Sequence, residues 1–261
     1  MACGTIHTMA RSNFHRVFSC GNGGSFALGH GNRESLSAFR LVEALEGLRI
    51  KKIACGMNHS GLVTEEGRVL LWGITGDVSF SKEMKEKCLL KKPTKIARFY
   101  QEKMGQMQKN GDVVIEDIKL GENFTLALSN KGVVYSWGIN EYGQLGQGHD
   151  QSIGDPASVS GLSKVVQIEC GLKHCIALTK DYQLFGWGSN VMGELGEQTD
   201  EMCAPLPVHI TAFAEARPFK VSCGSYHTVC LSYEAPRVIV EKDDIIVSNS
   251  VVKKSQKWVS L

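Results

Sequence analysis

Apolar side chains in this chain come in short runs closed off by turn residues, with little of the sustained 3.6-residue spacing that marks an amphipathic helix. The stretch from Cys170 to Leu178 is followed by the polar turn Thr179-Lys180-Asp181 and then by Tyr182 to Trp187. Short runs bounded in this way predict paired strands, here one over Cys170 to Leu178 and a second reaching Trp187. Glycines recur at the strand exits, where they supply positive φ or let another backbone approach closely.

The pattern repeats. Cys3-Gly4-Thr5-Ile6-His7 returns as Cys55-Gly56-Met57-Asn58-His59, Cys170-Gly171-Leu172-Lys173-His174 and Cys223-Gly224-Ser225-Tyr226-His227, with a degenerate copy at Leu120-Gly121-Glu122-Asn123-Phe124. The successive intervals are 52, 65, 50 and 53 residues. A second phrase follows each of the first four copies and is fullest from Trp137-Gly138-Ile139-Asn140 to Gly143-Gln144-Leu145-Gly146. Trp187 to Gly196 repeats it closely; Cys20 to Gly29 aligns without a gap, with Cys20 in place of the tryptophan; Trp72-Gly73 keeps only its beginning. A period near 50 residues means one supersecondary unit per repeat. About four strands of ~5–6 residues fill such a unit, which suits one blade of a β-propeller.

These phrases resemble the repeats of the regulator of chromosome condensation family, whose units carry a Cys-Gly-x-x-His-(Ser/Thr) strand and a Trp-Gly-x-Asn-x-x-Gly-Gln-Leu-Gly strand exit. Residues 3–8, 55–60 and 223–228 match the first phrase, and 137–146 match the second in full. The resemblance implies an all-β propeller of four-stranded blades, usually seven, over residues 1–232. Only about five units are countable here, and Cys3 leaves little room for upstream strands, so the chain reads as starting inside a blade. A closed ring with fewer blades, an arc completed by association with a partner, and a piece of a longer protein all remain open.

Composition narrows the setting. Lys and Arg total 29 against 27 Asp and Glu, which names no partner class, and no apolar run approaches the ~18 residues of a membrane span. No secretory pattern opens the sequence, so a cytoplasmic, cytoskeletal or ciliary location is expected, with the nucleus as the alternative. Of the nine cysteines, Cys3, Cys55, Cys170 and Cys223 are repeat positions on separate units. They read as small buried apolar residues, and without a Cys-x-x-Cys pair neither a metal nor a disulfide is expected. The repeated histidines read as hydrogen-bonding groups between strands or blades.

Two segments depart from the repeat. The long interval holds an interruption at about 74–112, within which residues 82–109 carry nine Lys or Arg against three Glu. Beyond Pro93, Ile96, Phe99, Tyr100, Met104 and Met107 would share one face of a helix. Lys91, Lys92, Lys95, Arg98, Phe99 and Tyr100 are the candidate partner-binding residues, facing an acidic surface such as a microtubule or its associated proteins. In residues 233–261, Val238-Ile239-Val240 and Ile245-Ile246-Val247 predict two strands ahead of a basic tail containing Lys253, Lys254 and Lys257.

No G-x-S-x-G, H-E-x-x-H or Walker A motif is present, and no catalytic residue or cofactor is expected. Gly143 to Gly148 has the composition of a phosphate loop, but its counterparts recur in other units, which favours a turn. The expectation is a non-catalytic scaffold for protein partners. The alternative, implied by the resemblance, is nucleotide exchange on a Ran-like small GTPase. Ultraviolet-B photoreception, a third role in the family, relies on a Gly-Trp-Arg-His-Thr phrase that here reads Gly171-Leu172-Lys173-His174-Cys175 and Gly224-Ser225-Tyr226-His227-Thr228. Direct nucleic-acid binding is not expected.

Overall fold

A computed structural model describes residues 1–76, 88–96, 113–197, 201–233 and 257–260. The described strands form five antiparallel sheets in chain order, four of them four-stranded meanders. Blade 1 contains β1 (Ala2–Cys3), β2 (His7–Arg11), β3 (Val17–Gly21) and β4 (Leu36–Leu41). Blade 2 contains β5 (Ile50–Cys55), β6 (His59–Thr64), β7 (Val69–Ile74) and β8 (Leu89–Lys95). Blade 3 contains β9 (Ile115–Leu120), β10 (Phe124–Ser129), β11 (Val134–Gly138) and β12 (Ile153–Ser158). Blade 4 contains β13 (Val165–Cys170), β14 (His174–Thr179), β15 (Leu184–Ser189) and β16 (Cys203–His209). Blade 5 contains β17 (Pro218–Cys223), β18 (Thr228–Ser232) and β19 (Lys257–Ser260).

The structure redraws several boundaries. The run from Cys170 to Leu178 is two strands, because the phrase Cys-Gly-x-x-His is the hairpin turn between β13 and β14, with Gly171 N–H bonded to His174 O at 2.9 Å. The first sheet has four strands, β1 spanning two residues where β5, β9, β13 and β17 span six. Residues 89–95, counted with the basic interruption, are the outer strand of blade 2, and Pro93 lies on that edge, where a missing N–H costs least. Lys257 belongs to a strand rather than a tail, since β19 pairs with β18 through Leu231 opposite Trp258. The two strands expected at 238–247, and Phe99 onward of the expected helix, lie outside the described residues.

Each hydrophobic core is a seam between neighbouring blades. Met9 and Val17 of blade 1 meet Leu62 and Trp72 of blade 2. Val63 and Leu71 meet Ile118 and Trp137, and Leu126 and Leu145 meet Ile168 and Trp187. Ile176, Leu195 and Phe213 meet Val221 and Cys230 of blade 5. Among the described residues no such core joins blade 5 to blade 1. The innermost strands β1, β5, β9, β13 and β17 follow one another around a common axis, and the turns that end them line one cavity there.

Candidate functional site

The two repeated phrases meet at the seams. In the first seam, the indole Nε1 of Trp72 and the hydroxyl of Ser60 both donate to the carbonyl of Ala27, each at 2.7 Å. Ala27 sits in the glycine-rich exit loop of blade 1, so the tryptophan of blade 2 secures the loop of the blade before it. Trp187 and Cys175 do the same to Gln144 O, at 3.0 and 3.3 Å, and Thr228 Oγ1 donates to Glu194 O at 2.8 Å.

The histidines complete this arrangement from the other side. His7 Nε2 lies 2.7 Å from Ser60 Oγ, and His174 Nε2 lies 3.1 Å from Thr228 Oγ1. Each of these hydroxyls spends its single proton on a loop carbonyl, so the histidine donates from Nε2 and its Nδ1 is unprotonated. The Nδ1 atoms of His7, His59 and His174 are buried without a hydrogen-bond partner, an arrangement only a neutral ring tolerates. Burial pushes His7 and His174 down to about 4 and His59 to about 3. These rings are seam fasteners, as the repeat suggested. The sequence reading missed their partners, the residues immediately after each histidine in the next unit.

The phrase glycine has its own reason. A Cβ on Gly171 would run into the His174 ring and the carbonyl of Gly224 in the next blade, and Gly56 is enclosed alike by His59 and Gly121 O. Around the axis the turns are laced by backbone bonds, Met57 N to Gly121 O at 3.2 Å and Leu172 N to Ser225 O at 3.1 Å. The phrase cysteines line this axial cavity: Cys3 is exposed, and Cys55, Cys170 and Cys223 are half-buried, each packed against the adjoining seam core. Desolvation drives the thiols of Cys55 and Cys223 up to about 12 and raises that of Cys170, so at neutral pH the free thiols are protonated and weakly nucleophilic. Among the described residues, no group of three or more His, Cys, Asp or Glu is placed to hold a metal.

The same turns and exit loops form one face of the arc, and in the first and third seams their tips pair with each other. Ser25 Oγ donates to Asn58 Oδ1 at 3.2 Å in the first seam. In the third, Lys173 Nζ stands 4.2 Å from the centre of the Tyr142 ring and 3.6 Å from Glu122 Oε2. The corresponding positions in the fourth seam are Met192 and Tyr226, which are 72% and 54% exposed. Val191 and Met202 are exposed beside them, Met202 O accepting Asn190 N–H at 2.8 Å. An apolar patch therefore stands where the first and third seams have polar pairs.

Of the residues singled out from sequence, Lys91, Lys92 and Lys95 are exposed on β8. Lys91 and Lys92 lie beside the exit loop of blade 1, Lys91 Nζ at 6.0 Å from the Phe26 ring centre and Lys92 against Gly31. Lys95 lies farther down the strand, opposite Leu70. Arg98, Phe99 and Tyr100 lie outside the described residues.

The seams, turns and exit loops can be set beside known proteins. The family model of the RCC1-like domain matches residues 1–234. The chain is 33% identical over 177 residues to the Ultraviolet-B receptor UVR8 of Arabidopsis thaliana, covering 67% of this chain and 37% of the receptor. It is 32% identical over 178 residues to the human E3 ubiquitin-protein ligase HERC2, covering 67% of this chain and 3% of the ligase. The chain thus spans well under two thirds of these relatives. Among solved structures, human WBSCR16 superposes with a TM-score of 0.73 at 24% identity, over 89% of this chain and 57% of that one. Prp20p of Saccharomyces cerevisiae gives 0.71 at 22% identity, over 91% and 56%. With the interlocking phrases and the match across nearly all of its blades, the chain belongs to the RCC1-like domain family of β-propeller repeat proteins.

Proposed function

We propose that this chain is a non-catalytic interaction scaffold that holds a protein partner on the face carrying its turns and exit loops. The observation that carries this reading is the apolar patch of Val191, Met192, Met202 and Tyr226, exposed where the positions equivalent to Met192 and Tyr226 in the first and third seams are paired with each other. Exposed Met and Tyr side chains gathered on a rigid rim are the material of interface anchors. The conserved-sounding chemistry of the repeat, its histidines and cysteines, is occupied in holding blades together and supports no catalytic role. A cytoplasmic setting, at the cytoskeleton or cilium, goes with the basic character of residues 82–109.

A photo-crosslinking residue at position 192, with the same residue at the exposed Tyr182 between β14 and β15 as control, tests the reading in cells. A discrete protein adduct from position 192, absent from position 182 and lost on Tyr226→Asp, is expected. Equal adducts from both positions would count against the patch.

Regulation of a Ran-like GTPase is the second reading. It draws on Prp20p, described with its binding to Gsp1p and histones. It requires that the purified chain speed release of labelled GDP from such a GTPase; an unchanged release rate removes it.

A further inference from the structure

Most described lysines at the blade seams have a carboxylate opposite them: Lys52 with Asp117 at 2.8 Å, Lys119 with Glu169 at 2.7 Å, and Lys51 with Glu116. The outer rim of the first seam is different. Arg33, from the loop before β4, and Lys91 and Lys92, at the start of β8, are all exposed, and none has a carboxylate partner among the described residues. The nearest acid of that loop, Glu34, is engaged by Arg40 at 3.7 Å.

One residue gathers these cations. The Arg33 guanidinium stands 5.0 Å from the centre of the Phe26 ring and Lys91 Nζ stands 6.0 Å from it. Phe26 is held at φ 62, a left-handed conformation that glycine takes at the matching positions Gly143 and Gly193 in the exit loops of blades 3 and 4. A bulky side chain in that region is strained, and strain of this kind collects at sites with a purpose beyond folding. Lys92 lies along Gly31 on the same loop, so blade 1 supplies the platform and blade 2 two of the three charges.

We propose that this rim, Arg33, Lys91 and Lys92 around Phe26, is a docking site for an acidic, carboxylate-rich protein segment. Three unpaired cations pointing to solvent from two packed blades offer complementary charge on a rigid base. Three cations among the described residues supply few of the phosphate contacts that drive nucleic-acid binding, which weighs against that occupant. The ring does too, because Phe26 is only 8% exposed and offers no open face for base stacking. This site is separate from the apolar patch on the fourth seam, and either can stand without the other.

The test is fluorescence anisotropy with a fluorescein-labelled peptide of alternating Glu and Gly, beside a labelled oligo-dT of equal length. The whole chain is expected to bind the peptide more tightly than the oligonucleotide, with affinity falling several-fold as salt is raised. The variant R33E/K91E/K92E should lose at least roughly tenfold in peptide affinity, as removing complementary charge does. The variant K131E/K180E/K220E, with the same change in net charge at exposed lysines elsewhere, should bind as the parent does. Circular dichroism melts of both variants show whether each is folded. Absence of peptide binding, equal loss in both variants, or tighter binding of oligo-dT through the same three residues would each overturn the assignment.

Discussion

Phe124 and Cys175 depart from the repeat in different blades, yet they meet across one seam. Elsewhere a histidine faces the hydroxyl that follows the histidine of the next unit, as His7 faces Ser60 and His174 faces Thr228. Where the ring has no nitrogen the hydroxyl is gone as well, leaving an apolar contact in place of a polar one. Phe124→His alone should therefore destabilise the chain by about 1–3 kcal/mol, the cost of burying a polar group without its partner. Cys175→Thr in that background should restore part of the loss, a favourable coupling of about 0.5–3 kcal/mol in a denaturant-measured double-mutant cycle. Strict additivity would mean that the two residues are independent. The intact histidines make a second prediction. His7, His59 and His174 are neutral when folded, with values lowered to about 4, 3 and 4, whereas the unfolded chain takes up their protons near 6.5. The unfolded state thus binds more protons between pH 6.5 and about 4, so the stability they contribute is complete above pH 6.5 and falls through that window. The slope approaches roughly 1.4 kcal/mol per pH unit for each histidine, read from urea midpoints, and His174→Gln should flatten it.

At the scale of strands and loops, the Trp-Gly phrase of one unit and the exit loop of the unit before work as a single joint. Trp187→Phe keeps the ring in the seam but removes the indole donor from the Gln144 carbonyl, leaving it the weaker Cys175 thiol, which should cost about 1 kcal/mol in thermal or denaturant unfolding. Gly171→Ala pushes a methyl toward the His174 ring and Gly224 O and should cost about 1–3 kcal/mol, as overpacking does. A neutral result at Gly171 would mean that the turn relaxes. Both joint elements were visible as repeated words in the sequence, and so was the blade they build. What the words could not show was where one strand stopped. Cys170 to Leu178 was read as one run in spite of Gly171, Lys173 and His174, and the hairpin bond from Gly171 to His174 divides it. The strand Leu89–Lys95 was hidden because its lysines and Pro93 look like a loop, although an outer edge strand tolerates both. Lys91 and Lys92 were singled out from sequence, but their meeting with Arg33 and Phe26 was out of reach, because these residues lie far apart in the chain and only the packing of blades 1 and 2 joins them. The apolar patch could have been found by aligning Met192 with Tyr142 and Tyr226 with Lys173, since the equivalent pair is polar one seam earlier.

Across the whole molecule, the central strands record which blades have neighbours on both sides. Every position of β6, β10 and β14 is buried, on both faces of the sheet. In β2 burial alternates, with His7 and Met9 covered while Thr8 and Ala10 are half-exposed. Cys20, on the same uncovered side, stands where the tryptophans of blades 2 and 4 fasten a preceding loop. At the opposite end His227 is exposed, whereas the histidines of blades 1, 2 and 4 are sealed by the next blade. A linear array of this kind derives its stability from nearest-neighbour seams, so blades 2, 3 and 4, with two seams each, should open last. Hydrogen–deuterium exchange at neutral pH is then expected to leave amides of β6, β10 and β14 protected longest. Those of β2, β3, β17 and β18 should exchange markedly faster. Uniform protection across all five blades would mean instead that the two end faces are covered in solution. Adding a partner that seats on either end should in that case change nothing, whereas on exposed faces it should slow exchange in the adjoining blade first.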